Sequence, residues 1–190
     1  ILKQSTLPTG IEFIEKDVVQ LIEKFSGKGI PIHDFEASLM IIIEAAGEDE
    51  ANSAANDIGN ICLARGAIDV FVAGGERAAD LLTFREKAWP AIVHGGLADM
   101  ADVVVPRSRV AEFVQRARQA SRELGIATFM VGHAGDGNVH ISPVIPQQKD
   151  ASVRMAAFFH NIFELGVSMG GTISGEHGIG YTKKPYIDIA

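Results

Sequence analysis

The sequence predicts an α+β plait, with helices layered on one face of a largely antiparallel sheet. Three observations lead there. Segments of strand and helix character alternate along the chain, most connections between them are short, and one pair of strands meets at Asp136-Gly137. Asp-Gly is favoured in tight hairpin turns, so that pair is antiparallel. No Gly-x-Gly-x-x-Gly follows a strand and opens a helix, and no Walker lysine motif is present, which sets aside the common nucleotide-binding folds. No exact internal repeat is visible; a β-α-β arrangement duplicated in the two halves is left open.

The elements follow in order. Residues 10–15 alternate apolar Ile11 and Phe13 with Glu12 and Glu15, as a strand does. Asp17 and Gln20 have the spacing of a capping box, opening a helix with Val18, Leu21, Ile22 and Phe25 on one face and a stop at Gly27. Residues 38–45 are a continuous apolar run, read as a strand covered on both faces. A helix over 48–65 ends at Gly66, and 68–73 reads as another strand before Gly74-Gly75. Residues 76–92 have helical spacing that Pro90 should kink or end. A short strand at 101–105 is closed by Pro106, and Ser108 is the expected N-cap of a helix through Val110, Phe113, Val114 and Ala117. Strands at 126–131 and 139–145 flank the hairpin. A helix over 151–169 carries Met155, Phe159, Ile162 and Gly166, followed by a glycine-rich loop and the start of a last helix.

The bulk numbers exclude more than they assert. The 190 residues suffice for one large domain or two small halves. A net charge of −7 argues against a nucleic-acid partner, which would need a basic surface. A single cysteine, Cys62, excludes an internal disulfide and is expected to be a small core residue. The most apolar run, 39–46, is broken by Glu44 and too short to span a bilayer. The start at Ile1 leads us to expect a piece of a longer chain. The single cysteine suits a reducing compartment, so a cytoplasmic protein is expected, with peripheral contact of the parent protein with the inner membrane left open.

Chemistry gathers in two segments, Gly132-His-Ala-Gly-Asp-Gly-Asn-Val-His140 and Gly171-Thr-Ile-Ser-Gly-Glu-His-Gly-Ile-Gly180. With Asp136 and Gly137 as the two central turn residues, pairing runs 135–138, 134–139 and 133–140. His133 and His140 would then face each other with Cβ atoms about 5 Å apart. Such a pair can share a metal ion or an anionic substrate, or merely cap a core. Glu176-His177, between Gly175 and Gly178, adds a carboxylate, and two His with one Glu and an open position is a common way to hold catalytic Zn²⁺. Neighbours in an extended loop point in opposite directions, so Glu176 and His177 are expected to take different jobs. His33, His94 and His160 read as structural or solvent-facing, and Glu44 as a paired internal carboxylate near the site.

These two motifs closely resemble the signatures of the C-terminal domain of FAD-linked oxidases, the family of D-lactate dehydrogenases, the flavin subunit of glycolate oxidase and D-2-hydroxyglutarate dehydrogenase. The segments 39–47, the Arg85 helix, 102–109 and 178–183 have counterparts in the same order, so the resemblance covers nearly the whole chain. It implies a substrate or cap domain built on a ferredoxin-like plait, lying over FAD held by a separate N-terminal domain. It also implies His133, His140 and Glu176 as ligands of a divalent metal, often zinc. His177 is implied as the base that takes the hydroxyl proton, Arg85 as the grip on the substrate carboxylate, and Lys183 as a retained basic residue of unassigned role. The implied partners are a small 2-hydroxy-acid substrate, the chain's own FAD-binding domain and an electron acceptor, with a homo-oligomer or subunit complex left open.

Three positions depart from the D-2-hydroxyglutarate enzymes: Met100 stands where they have lysine, Ser142 where they have asparagine, and Trp89 where they have a small hydroxylic residue. Arg107 could supply a compensating charge but reads as exposed. The departures favour a small monocarboxylate, D-lactate or glycolate. The family's Asp-Pro…Asn-Pro-Gly ending is not found, and the chain alone is expected to hold no flavin and to turn over nothing. Two other classes stand beside this reading. One is a metal-dependent hydrolase using the same His-His-Glu set; the other is a non-catalytic plait for ligand sensing or assembly, in which His133→Ala and Glu176→Ala would change nothing.

Overall fold

The computed structural model describes residues 1, 7–30, 34–94, 99–146 and 149–190; His33 lies outside them. The fold is α+β, and the chain divides into two compact units, Ile1–Ala88 and Trp89–Ala190. Among the described residues no helix is long and apolar enough to cross a membrane.

In the first unit, β1 (Gly10–Glu15) and β2 (Ala37–Ile42) pair antiparallel, with Phe13 opposite Leu39. Helix α1 (Lys16–Ser26) joins them and buries Val18, Val19 and Ile22 as one stripe against β1. It starts two residues earlier than the spacing of Asp17 and Gln20 suggests, with Glu15 at the cap position and no side-chain capping bond. Asp17 instead sits in the first turn, where a carboxylate favours the helix dipole. Gly27, with φ 68°, closes it in the left-handed conformation, as expected.

Strand β2 is not covered on both faces: Leu39 is half-exposed, and Glu44 is exposed beyond the strand's end rather than paired inside. Helix α2 (Glu48–Ala64) follows, with Cys62 half-buried on it. The expected strand at 68–73 is irregular chain, and Ile68 is exposed. Apolar content alone does not make a strand; it needs a ladder partner, and this stretch has none among the described residues. The described residues of this unit therefore do not form a second complete plait.

Helices α3 (Gly75–Glu86) and α4 (Ala88–His94) replace the single expected helix, with the break at Lys87. Pro90 explains the position, because its ring excludes the helical carbonyl four residues back and is tolerated in a first turn.

The second unit has the split β-α-β order of a ferredoxin-like plait. Strand β3 (Ala101–Val104) and strand β4 (Ala127–His133) both pair antiparallel with β5 (Asn138–Val144) between them. An isolated antiparallel bridge from Val104 to Thr172 stands in the place of the fourth strand. Helix α5 (Val110–Glu123) is entered through a 3-10 turn at Arg107–Arg109, so Arg109 rather than Ser108 takes the cap position. Helix α6 (Ala151–Ser168) completes the layer.

Alternation divides the sheet's residues between two faces. Ala101 and Val103 of β3, Met130 of β4 and Val139 and Ile141 of β5 share the face covered by α5 and α6. Phe113, Phe158, Ile162 and Phe163 fill the layer from the helix side, all essentially inaccessible. Each such side chain contributes roughly 1.5–3 kcal/mol of burial. Gly166 lets α6 come down on β3: a Cβ there would lie 2.5 Å from Cγ1 of Val103. The opposite face carries Asp102, His133, Asn138, His140 and Ser142, so the polar residues share one side by strand parity.

Candidate functional site

The loop of the hairpin that sets the two histidines is two residues longer, on its N-terminal side, than the sequence suggests. Its innermost pair is His133 with Asn138, followed by Gly132 with Val139 and Val131 with His140. The loop is thus 134–137, and the amides of Asp136 and Gly137 both donate to the carbonyl of His133, at 3.0 and 3.1 Å. Among the described residues Asp136 does not have positive φ, whereas Gly137 does, at 86°. The shift is by two residues in register sum, an even number, so His133 and His140 keep the same face and become diagonal rather than direct neighbours. Their ring centroids are 5.2 Å apart and nearly perpendicular.

Gly137 has a second duty, since its carbonyl accepts from the amide of Val105 at the end of β3. An added Cβ would collide with the carbonyl oxygen of Val105. Gly137→Ala is therefore expected to lower the unfolding free energy, read from a lower urea midpoint, by roughly 1–2 kcal/mol for the left-handed backbone alone and by more for the collision. A wild-type midpoint would contradict this packing.

The second motif returns to the polar face after the Thr172 bridge. Gly175 packs directly on the side-chain amide of Asn138, where a Cβ would come within 2.6 Å of its nitrogen. The chain bends through 175–177 instead of running extended, so Glu176 and His177 turn to the same side. Oε1 of Glu176 lies 3.1 Å from Nε2 of His133, 3.0 Å from Nε2 of His140 and 3.6 Å from Nε2 of His177. The rings of His140 and His177 stack at 5.1 Å. Four of the five expected site residues are thus together. Arg85 belongs to the first unit, on α3, where its Nη2 lies 2.6 Å from Oε2 of Glu12 on β1.

Exposure grades across the cluster. The His140 side chain is 6% exposed and that of His133 28%, while Glu176 and His177 are half-exposed. The deep end is preorganised and the outer end open to a ligand. Burial pushes the His140 imidazolium down to about 4, against the pull of the Asp102 carboxylate, with His133 lowering it further and Glu176 opposing. His140 is therefore neutral near pH 7, the form that offers a lone pair.

Two residues complete the site that sequence reasoning left without a role. Asp102 is fully buried and lies directly opposite His140 in the β3–β5 register. Its Oδ2 accepts from the amides of Gly175 and His177, both at 3.0 Å, from Nζ of Lys183 at 3.1 Å and from Oγ of Ser174 at 3.3 Å. Lys183, itself buried, also donates to Oγ of Ser174 at 3.0 Å. Burial would raise the Asp102 pKa, but the His177 amide, the Lys183 hydrogen bond and charge, and the Gly175 amide hold it well below the usual carboxylate range. The available signal was a lone acid in Ala101-Asp-Val-Val-Val105, whose parity sets it opposite the helix-facing Val103.

The remaining candidates fall away from this cluster. His160 pairs with Glu164 at 3.2 Å on the exposed side of α6, and His94 is an exposed residue at the end of α4. Arg107 is exposed, as expected, and Trp89 is 41% exposed. Ser142 is buried on the polar face, two residues along β5 from His140.

The donor set fits a divalent cation. One donor atom each from His133, His140 and Glu176 lies within 4.8 Å of the others, two being nitrogens and one an anionic oxygen. Comparison with known proteins gives a family and relatives. The chain matches the family of FAD linked oxidases, C-terminal domain, over residues 1–189. It is 37% identical over 93% of its length to a D-lactate dehydrogenase of Archaeoglobus fulgidus, covering 38% of that protein. It is 32% identical over its whole length to glycolate oxidase subunit GlcD of Bacillus subtilis, covering 40%. It is 28% identical over 94% of its length to the mitochondrial D-2-hydroxyglutarate dehydrogenase of Danio rerio, covering 34%. The chain thus spans about two fifths or less of each of these relatives.

Proposed function

The chain belongs to the family of FAD-linked oxidase C-terminal domains, and on that premise we propose that it is the substrate-side domain of an FAD-dependent dehydrogenase. Its substrate is a D-2-hydroxy acid, D-lactate or glycolate, and its product the 2-keto acid. The observation that carries this is the convergence of His133, His140, Glu176 and His177 from two separate motifs around one carboxylate oxygen.

Oxidation of a 2-hydroxy acid removes a proton from oxygen and a hydride from C2. His177 is half-exposed at the open end of the cluster, and its Nε2 is the atom that takes the hydroxyl proton. His133, His140 and Glu176 are the residues that would hold a divalent metal, zinc being the ion this ligand set favours. When bound, the metal supplies acidification of the substrate hydroxyl, and the flavin of the neighbouring domain the two-electron acceptor. Arg85 grips the substrate carboxylate and shares its guanidinium between that group and Glu12. The partners are the FAD-binding domain and an electron acceptor.

The test is a substrate panel on the full-length flavoprotein with a dye acceptor. D-lactate or glycolate is expected to reduce the flavin, and D-2-hydroxyglutarate to do so more slowly, because Met100 offers no cation for a second carboxylate. Preference for the dicarboxylate would reverse the substrate assignment. Failure of all three would remove the dehydrogenase reading.

A further inference from the structure

We propose that Asp102, backed by Lys183, is the positioning residue of this site: one carboxylate oxygen holds the loop bearing Glu176 and His177, and the other sets the ring of His140. The proposal rests on the reading of the cluster as a metal and base site.

The loop half is built from the hydrogen bonds of Oδ2. The two backbone donors, Gly175 and His177, are the residues on either side of Glu176. Both flanking amides are therefore tied to one buried atom, which leaves Glu176 little freedom to swing away from the histidines. Lys183 and Ser174 close the ring. The ammonium donates to Oδ2 and to Oγ of Ser174, and Ser174 passes its own hydrogen to Oδ2. Every polar group in that cycle has one consistent direction of donation. A buried carboxylate–ammonium pair is a poor source of stability compared with apolar packing. What this pair does gain is a fixed loop.

The ring half rests on two complementary atoms. Oδ1 of Asp102 and Nδ1 of His140 are both buried, and among the described residues neither has a hydrogen-bond partner. They face each other at 3.7 Å. Each is the other's available neighbour, acceptor against N–H donor. At 3.7 Å the two atoms are beyond hydrogen-bond length; with a cation held between Nε2 and Glu176, the proton of the neutral ring falls to Nδ1, on the side of Oδ1. A metal-bound imidazole is commonly backed by a carboxylate in this way.

The experiment uses the full-length flavoprotein stripped of metal. Amide hydrogen exchange at Gly175 and His177 is expected to quicken about ten- to a hundredfold in Asp102→Ala, the loss of charge-assisted hydrogen bonds. Zn²⁺ affinity, read by competition with a chromophoric chelator, should weaken roughly 10–100-fold. In the reconstituted enzyme kcat falls while KM for the hydroxy acid stays near its wild-type value. Asp102→Asn keeps the size and one acceptor oxygen and serves if the alanine variant does not fold. It should retain loop protection yet still bind Zn²⁺ more weakly. Wild-type exchange at both amides in Asp102→Ala, or wild-type Zn²⁺ affinity in Asp102→Asn, overturns the proposal. A wild-type enzyme indifferent to metal would defeat the functional reading instead, and the exchange result in metal-free protein does not depend on it.

Discussion

Glu176→Ala in the full-length flavoprotein is expected to lower hydroxy-acid oxidation by more than about 100-fold while leaving the flavin spectrum unchanged. Outer partners of metal ligands alone are worth roughly 10–100-fold, and a positioned base about 10²–10⁴-fold. Glu176 is a ligand in its own right and a neighbour of the base, being the anionic donor between His133 and His140 and lying 3.6 Å from Nε2 of His177. Its side chain is half-exposed, so its removal leaves no buried group stranded except the shared contact of His140. The loss should therefore appear in turnover and not in folding. Steady-state assay with dye acceptor, beside the absorbance of bound flavin, separates the two. Turnover within a few-fold of wild type would contradict the role.

Lys183→Met has the opposite character. Both Lys183 and Asp102 are buried, and removing the ammonium leaves a carboxylate held in its charged form with less to balance it. Breaking a buried pair in this way costs about 3–5 kcal/mol. Urea unfolding of the 190-residue chain, followed by far-ultraviolet circular dichroism, should show a correspondingly lower midpoint. Replacing both partners, in Asp102→Leu with Lys183→Met, should cost less than the sum of the two single changes, because no charge is then left unpaired. Strict additivity would mean that the two residues do not act as a pair.

Much of this architecture is legible in the residues. Periodicity places α1, α2, α5 and α6, and the alternation at 10–15 places β1. The histidine pair survives an error in the turn, because a slip of two residues preserves the face; a slip of one would have put His133 and His140 on opposite sides. What the sequence hides is long-range. Residues 68–73 have strand composition but no partner, and composition does not report partners. Glu44 lies past the end of β2, where burial stops. The bend at 175–177 sends Glu176 and His177 to one side because two of its amides bind a carboxylate 73 and 75 positions away. Lys183 has no visible purpose until that same carboxylate is in place.

Chelation of the full-length flavoprotein tests the His133–His140–Glu176 set most directly. Oxidation of D-lactate or glycolate is expected to fall away as metal is removed, with FAD still bound, and to return when Zn²⁺ is restored. His133→Ala should resist that restoration at the same Zn²⁺ concentration. Full activity after verified, complete removal of metal would contradict the metal role of this cluster.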